Sequence, residues 1–137
     1  ALPAMVRRGA GDFISFSSMA GIIPILMTGA YNASKFAVSA FTEVLHHENR
    51  ASGVRFACVC PPPVATPLLA QGYATVMPKT IESMPPIEPR DVLDAIESAL
   101  AKGDFWVFPG KGTRTGYLMR RFFPNLIWKD VHKKEGF

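Results

Sequence analysis

Three short runs rich in aromatic and β-branched residues constrain the architecture of this chain. They are residues 12–17 (DFISFS), 54–60 (VRFACVC) and 104–109 (DFWVFP), and each has the length and composition of a buried strand. Segments with helical periodicity separate each run from the next. Strands that alternate with helices form parallel sheets, because a parallel pair needs a crossover connection. The sequence therefore predicts one α/β domain, with a parallel sheet of about three strands and flanking helices.

Apolar spacing and terminal signals predict three helices around these strands. Residues 1–8 have the pattern of the last turns of a helix, with two arginines near the carboxyl end, where the helix dipole favours them. The second helix is predicted from about Ala30 to Ala51 and the third from Glu88 to Lys102, and a glycine follows each of the three. The second helix carries an apolar stripe that predicts core packing, made of Ala33, Phe36, Ala37, Ala40, Phe41, Val44 and Leu45.

A serine, a tyrosine and a lysine form a pattern typical of acid/base chemistry. Tyr31 and Lys35 lie four residues apart at the start of the second helix, so both project from the same face. A neighbouring cation favours the phenolate form of a tyrosine, which helps it to exchange a proton near neutral pH. Ser18 lies thirteen positions before Tyr31 and would donate a hydrogen bond to a reacting oxygen. Residues 21–29 contain Pro24 between glycines, which predicts a loop packed over this site.

Together with a proline-rich turn after the second strand, these residues resemble the catalytic half of the short-chain dehydrogenase/reductases. The motifs are Ser18, Tyr31-Asn32-Ala33-Ser34-Lys35 and Pro61-Pro62-Pro63-Val64-Ala65-Thr66. The resemblance implies a partial, Rossmann-like, doubly wound parallel sheet. It implies an oxidoreductase that transfers hydride between NAD or NADP and a small-molecule alcohol or ketone. Tyr31 would exchange the proton, Ser18 would hold the substrate oxygen, and Lys35 would support the tyrosine and bind the nicotinamide ribose. The implied cofactor-binding residues are Tyr31, Lys35, Pro61, Val64 and Thr66.

The resemblance also implies an organisation for the whole chain. Residues 1–137 would be the C-terminal part of a single domain, with a catalytic α/β core in 1–110 and a basic extension in 111–137. The glycine-rich turn that holds the dinucleotide phosphates in this family is not part of the sequence, and the first strand would keep an unpaired edge. Residues 68–87 would form the substrate lid. The helix that carries Tyr31 would contribute to a dimer surface, so we expect a homo-oligomer.

Simpler roles are open for several of these residues. Ser18 has the type of a cap or turn serine, and Thr66 followed by Pro67 is typical of a helix N-cap with proline at the first position. The cap role of Thr66 is compatible with a cofactor contact. His46 and His47 are predicted to be exposed or interface residues at the far end of the helix. A different class of function is a noncatalytic fragment or interaction module that uses the dimer helix and the basic tail.

Composition narrows the compartment and the partners. No apolar run reaches the roughly 18 residues that span a bilayer, and Cys58 and Cys60 on one side of a strand favour buried free thiols over a disulfide or a metal site. We therefore expect a cytoplasmic protein without a metal. The net charge of +4 comes without an RNA-binding motif or a recognition helix, so nucleic acid is not an expected partner.

The basic, aromatic tail at residues 111–137 has two interpretations. One is a helix that lies on an anionic membrane surface. The other is a terminal extension that covers the substrate pocket or packs on a partner subunit. The second is favoured because Pro124 would interrupt a long amphipathic helix.

Overall fold

The computed structural model describes residues 1–74 and 77–137, and its core is a parallel sheet flanked by helices. The described strands pair in the order β1-β2-β3, with every pairing parallel, as the sequence predicts. A 3-10 turn at Met19–Gly21 follows the first strand. In chain order the elements are α1 (Leu2–Arg8), β1 (Gly11–Phe16), α2 (Gly29–Glu48), β2 (Val54–Val59), α3 (Pro67–Tyr73), α4 (Lys79–Glu82), α5 (Pro89–Lys102), β3 (Trp106–Val107), α6 (Thr113–Phe122) and α7 (Pro124–Glu135).

The central strand β2 sends alternate side chains to two different helices, since successive residues of a strand point to opposite faces. On one face, the ring of Phe56 lies 5.9 Å from the ring of His46 in α2. On the other face, Ala57 and Val59 belong to a buried apolar cluster with residues of α5 and β3. The sheet is therefore covered on both sides, which is the arrangement of a partial Rossmann-like α/β fold. The members of the cluster are Ala57, Val59, Val92, Ile96, Ala99 and Val107.

The helix ends follow the sequence signals closely. Gly9 and Gly103 adopt the left-handed conformation, with φ of 69° and 75°, and close α1 and α5. The helix α5 begins with a capping box between Glu88 and Asp91. The helix α2 ends three residues before the predicted end, because the Asn49 side chain donates a hydrogen bond to the carbonyl oxygen of Leu45, 2.8 Å away. The third strand is also shorter than predicted and spans two residues.

The predicted core stripe of α2 is wrong, because the helix turns its polar side to the sheet. Its buried residues are Asn32, Ser39 and Thr42, whereas Phe41 is 62% exposed and Val44 is 53% exposed. The buried hydroxyls are satisfied, since Ser39 Oγ lies 2.8 Å from Ser17 Oγ, and Thr42 Oγ1 donates to the carbonyl oxygen one turn earlier. Burial of these hydroxyls leaves the apolar side of α2 on the surface.

Helices also form in the predicted lid and in the tail. The predicted lid, residues 68–87, includes most of α3 and all of α4, and its residues 75 and 76 lie outside the described residues. The tail forms α6 and α7, which meet at Phe123, so Pro124 interrupts the tail as predicted. In the described part of the chain, no helix combines the length and the hydrophobicity that crossing a membrane requires.

Candidate active site

The end of β1 is attached to α2 through a buried serine pair. Ser17 is 4% exposed, and its Oγ donates a hydrogen bond to the carbonyl oxygen of Lys35 at 2.9 Å. A serine hydroxyl has a single hydrogen, so Ser39 must be the donor in the 2.8 Å contact between the two hydroxyls. These bonds fix the position of Ser18 relative to the first turns of α2. Sequence reasoning assigned no role to Ser17.

The 3-10 turn lies unusually close to α2, and Gly21 makes this possible. A Cβ atom at Gly21 would stand 2.7 Å from the Lys35 carbonyl oxygen and closer still to Ser17 Oγ. Both neighbours are part of the hydrogen-bonded contact between β1 and α2. A glycine is therefore required where the turn crosses the helix.

Tyr31 and Lys35 lie together on the open face of α2, as their spacing predicts. The Lys35 Nζ is 5.7 Å from the centroid of the Tyr31 ring, which is within the range of a cation–π contact. The same ammonium donates a hydrogen bond to the carbonyl oxygen of Phe16 at 3.1 Å, so it bridges the end of β1 and the tyrosine. Tyr31 is 44% exposed. The structure thus places a fixed positive charge beside an accessible phenol.

Ser18 lies at the carboxyl end of β1, where open α/β sheets carry their sites. Its Oγ accepts a hydrogen bond from the backbone N–H of Ala20 at 3.1 Å and caps the 3-10 turn, which confirms the simpler prediction. The hydroxyl hydrogen is not used in this bond and remains able to donate. The next residue, Met19, donates its backbone N–H to the carbonyl oxygen of Pro61 at 3.0 Å, which joins this turn to the segment after β2.

The segment after β2 runs alongside Ile87, which lies two residues before the start of α5. Val64 forms a parallel bridge with Ile87, in which the hydrogen bonds are made by Ala65 N and by Pro63 O. In such a bridge, the N–H of Val64 itself points away from Ile87. Thr66 is the N-cap of α3, where its Oγ1 accepts from Leu69 N at 3.4 Å, as predicted. The same hydroxyl donates to the carbonyl oxygen of Val64 at 3.2 Å.

Asn32 fastens the loop before α2 to the helix, a role that sequence reasoning missed. Its Oδ1 accepts from the backbone N–H of Ile25 at 3.2 Å, and its Nδ2 donates to the carbonyl oxygen of the same residue at 2.7 Å. The Thr28 hydroxyl also donates to Oδ1, at 3.2 Å. An amide side chain directly after Tyr31 therefore holds the loop against the start of the helix. Burial of a polar residue in the first helical turn is the local sign of such a role.

Two shallow depressions lie on the described surface. One, of 370 Å³, lies beside Thr66 and Pro67 at the start of α3 and reaches Tyr73. Another, of 440 Å³, lies at the start of α5. Ser18, Tyr31 and Lys35 line neither of the two.

A carboxylate near the end of the chain caps α4, within the predicted lid. The side chain of Glu135 accepts hydrogen bonds from the backbone N–H of Lys79 at 3.1 Å and of Thr80 at 2.7 Å, and from Thr80 Oγ1 at 2.6 Å. The bonds from Thr80 lower the pKa of Glu135, because they favour the charged carboxylate. No local sequence signal marks this contact, since the partners lie 55 and 56 positions apart.

Other titratable groups of the chain also have shifted pKa values. Burial and the neighbouring His47 lower the pKa of His46, whose ring stacks on Phe105 with centroids 4.7 Å apart. His46 is therefore half-buried, whereas His47 is exposed as predicted. The hydrogen bond to Cys58, together with burial, raises the pKa of the Cys60 thiol. Both cysteines are buried and free, as predicted.

Sequence comparisons connect this geometry to known proteins. Residues 1–76 match the family model described as short chain dehydrogenase. The chain is 36% identical over 82 residues to the uncharacterized oxidoreductase YbbO of Escherichia coli strain K12. This match covers 60% of the chain and 30% of that protein, so the chain spans well under half the length of this curated relative.

Solved structures share the fold. A short chain dehydrogenase from Burkholderia cenocepacia J2315 in complex with NADP superposes with a TM-score of 0.77 at 22% identity, over 95% of this chain and 50% of that one. A short chain dehydrogenase/reductase from Burkholderia phymatum in complex with NAD gives a TM-score of 0.68 at 22% identity, over 92% and 52% of the two chains. With its parallel sheet, its Tyr31–Lys35 pair and a family match over more than half of its residues, the chain belongs to the short-chain dehydrogenase family.

Proposed function

We propose that this chain supplies the catalytic part of an NAD(P)-dependent oxidoreductase that acts on a small-molecule alcohol or ketone. The observation that carries the proposal is the Lys35 ammonium, 5.7 Å from the centroid of the exposed Tyr31 ring and held by the end of β1. We assign residues 1–110 to the catalytic α/β core and 111–137 to a basic extension. The nicotinamide cofactors bound by the two Burkholderia proteins support NAD or NADP as the cofactor.

The residues after β2 fit the carboxamide of a nicotinamide. Val64 N–H points away from Ile87 and is available to a carbonyl oxygen. Thr66 Oγ1 donates its hydrogen to Val64 O and accepts one hydrogen bond from Leu69 N. One lone pair of this oxygen therefore remains to accept a hydrogen bond from an amide N–H₂. A donor and an acceptor two residues apart match the two ends of a primary carboxamide. Pro61 holds the 3-10 turn beside them through its carbonyl oxygen.

The acid/base step falls to residues of the open face of α2. When bound, the nicotinamide ring gives or takes a hydride. Tyr31 gives or takes the matching proton at the substrate oxygen, and the adjacent Lys35 charge favours its phenolate form. Ser18 donates its free hydroxyl hydrogen to that oxygen while its own oxygen remains bound to Ala20 N. Lys35 also binds the nicotinamide ribose with the ammonium hydrogens that Phe16 O does not use.

The outer face of α2 fits a second copy of this chain. Phe41 and Val44 are more than half exposed on a helix whose polar side is buried. Apolar residues at i and i+3 on an uncovered helix face are typical of helix pairing between subunits. A noncatalytic interaction module would use the same surface.

The two free, buried cysteines support a reducing, cytoplasmic compartment.

A tyrosine substitution in the complete protein tests the catalytic proposal. Tyr31→Phe should lower kcat by about 10²-fold or more, because the proton donor is lost, while the Kd of NAD or NADP stays within about threefold. Tyr117→Phe is the matched control, since Tyr117 stacks on Phe108 at 5.0 Å and lies outside the proposed site. Turnover that persists in Tyr31→Phe would remove the assignment.

Assembly is measured separately from catalysis. Phe41→Glu should convert the oligomer to a monomer in light scattering after size exclusion. Leu93→Glu on α5, where the side chain is 53% exposed, should leave it intact. A monomeric wild-type protein, or equal effects of the two variants, would exclude this interface.

A further inference from the structure

The meeting point of α6 and α7 carries an apolar surface that the other described residues leave exposed. We call it the hairpin corner and define it by Leu118, Phe122, Phe123 and Leu126. These side chains are 43%, 63%, 55% and 56% exposed, respectively. Leu118 and Phe122 are four residues apart on α6, and Leu126 lies in the first turn of α7, so they share the outer side of the hairpin.

The opposite side of the hairpin is already packed on the fold. Thr113 is buried, and its hydroxyl lies 2.9 Å from the carbonyl oxygen of Pro109. The Tyr117 ring stacks on Phe108, and Val131 is 5% exposed. Glu135 fastens the far end to α4. The contacts of its inner side and its far end therefore hold the hairpin in place. The apolar side chains of the hairpin corner take no part in these contacts.

Basic side chains surround the corner on both helices. Arg114 and Arg121 lie four residues before and three residues after Leu118 on α6, and Lys129 and Lys133 lie three and seven residues after Leu126 on α7. All four are exposed. Besides Glu135, the helix α7 contains one acidic residue, Asp130. Its carboxylate forms a salt bridge with Lys134 at 2.8 Å.

The charge of the whole chain is concentrated in this segment. Residues 111–137 hold seven Lys and Arg residues against two acidic residues, whereas the formal net charge of the chain is +4. The remaining residues 1–110 therefore carry one more acidic than basic side chain. The excess positive charge is therefore located on the hairpin and not on the part of the chain that carries the candidate active site.

We propose that the hairpin corner binds the surface of an anionic lipid membrane. Phe122 and Leu126 enter the headgroup region, and the four basic side chains bind lipid phosphates around them. An apolar tip with a cationic border, presented by two short helices, has the amphipathic character of interfacial membrane-binding helices. The charge complementarity selects an anionic lipid surface over a zwitterionic one.

The test is vesicle co-sedimentation of the complete protein. The probes are phosphatidylcholine vesicles with and without roughly one-third phosphatidylserine, at about 0.15 M and about 1 M NaCl, where the Debye length falls from about 8 to about 3 Å. We expect binding to the anionic vesicles at the lower salt and a loss of about tenfold or more at the higher. Lys129→Glu with Lys133→Glu should weaken partitioning at least tenfold, while Arg50→Glu with Lys102→Glu, a change of equal charge elsewhere, should weaken it less.

A second variant pair isolates the apolar contribution. Phe122→Ser with Leu126→Ser should reduce partitioning about tenfold, and Leu68→Ser with Leu93→Ser, which removes side chains that are 72% and 53% exposed, should not. Circular dichroism of each variant establishes that the fold is retained. Absence of binding to anionic vesicles at low salt, or equal loss in both apolar pairs, would overturn the proposal. Self-association that the corner pair abolishes, without vesicle binding, would assign the surface to a protein partner instead and would also overturn it.

Discussion

Ser17 Oγ donates a hydrogen bond to the carbonyl oxygen of Lys35 at 2.9 Å, and so attaches the end of β1 to the helix that carries the candidate acid/base pair. We predict that Ser17→Ala lowers the free energy of unfolding by about 1–3 kcal/mol, because the carbonyl oxygen of Lys35 and the hydroxyl of Ser39 each lose a partner. Urea denaturation measures the change. Ser98→Ala, at an exposed position of α5, should change stability by less than about 0.5 kcal/mol. Equal effects of the two substitutions would contradict the assigned role.

Gly21→Ala should destabilise the fold by about 1–3 kcal/mol, because the new Cβ overlaps the backbone of Lys35. The matched control is Gly29→Ala. Gly29 is the first residue of α2, and a Cβ there meets nothing within 4 Å. Alanine favours a helix over glycine, so this control should be neutral or stabilising. Thermal unfolding of the two variants gives the comparison, and a Gly21→Ala protein as stable as the wild type would show that the turn can move away.

Loss of the Glu135 carboxylate should expose the start of α4. In Glu135→Ala, the backbone amides of Lys79 and Thr80 lose their acceptor, so hydrogen exchange at these two amides should become several-fold faster. Asp130→Ala is the control, since it removes a carboxylate from the same helix without touching α4.

The same contact should depend on pH. The pKa of Glu135 is lowered in the folded protein, so its stabilising effect is complete above the ordinary value of 4.5 and is lost as pH falls through the folded pKa. Protection of the Thr80 amide in the wild type should therefore decrease in acid. Protection that is independent of pH would mean that another group holds α4.

His46 should make the fold less stable in mild acid. Its pKa is lowered by burial and by His47, so the unfolded chain takes up a proton at a higher pH than the folded chain does. The stabilising effect of neutral His46 is thus complete above the ordinary value of 6.5 and is lost as pH falls through the folded pKa. Urea midpoints measured between about pH 8 and about pH 5 should fall with pH, and His46→Gln should flatten this slope. An unchanged slope in the variant would assign the effect to other groups.

The sheet and the helix ends were predictable because their signals are local. Strand composition, capping residues and glycines at positions 9 and 103 act within a few residues, and the structure places these elements within a few residues of the prediction. The orientation of α2 was not predictable from hydrophobic periodicity. Its buried Ser39 is satisfied by Ser17, which lies 22 positions earlier, and that partner is visible only once the strand and the helix are packed together.

In the candidate site too, the features that depend on local spacing were predictable and those that depend on packing were not. The spacing of Tyr31 and Lys35 within one helix was sufficient to place them on one face. Asn32 and Gly21 act through contacts between elements, a loop with a helix and a turn with a helix, so their roles emerge only from packing. The cap on α4 has its acceptor more than fifty positions from its donors, which is beyond the reach of any local pattern.

The long-range cap of α4 also has a consequence for the order in which the protein is built. The ribosome makes the chain from the N-terminal end, so Lys79 and Thr80 emerge well before Glu135 is synthesised. During that interval the start of α4 has no carboxylate from α7 to accept its amide hydrogens. The segment that the family resemblance assigns to the substrate lid is thus secured only once Glu135 has been made, after all three described strands of the sheet have been synthesised.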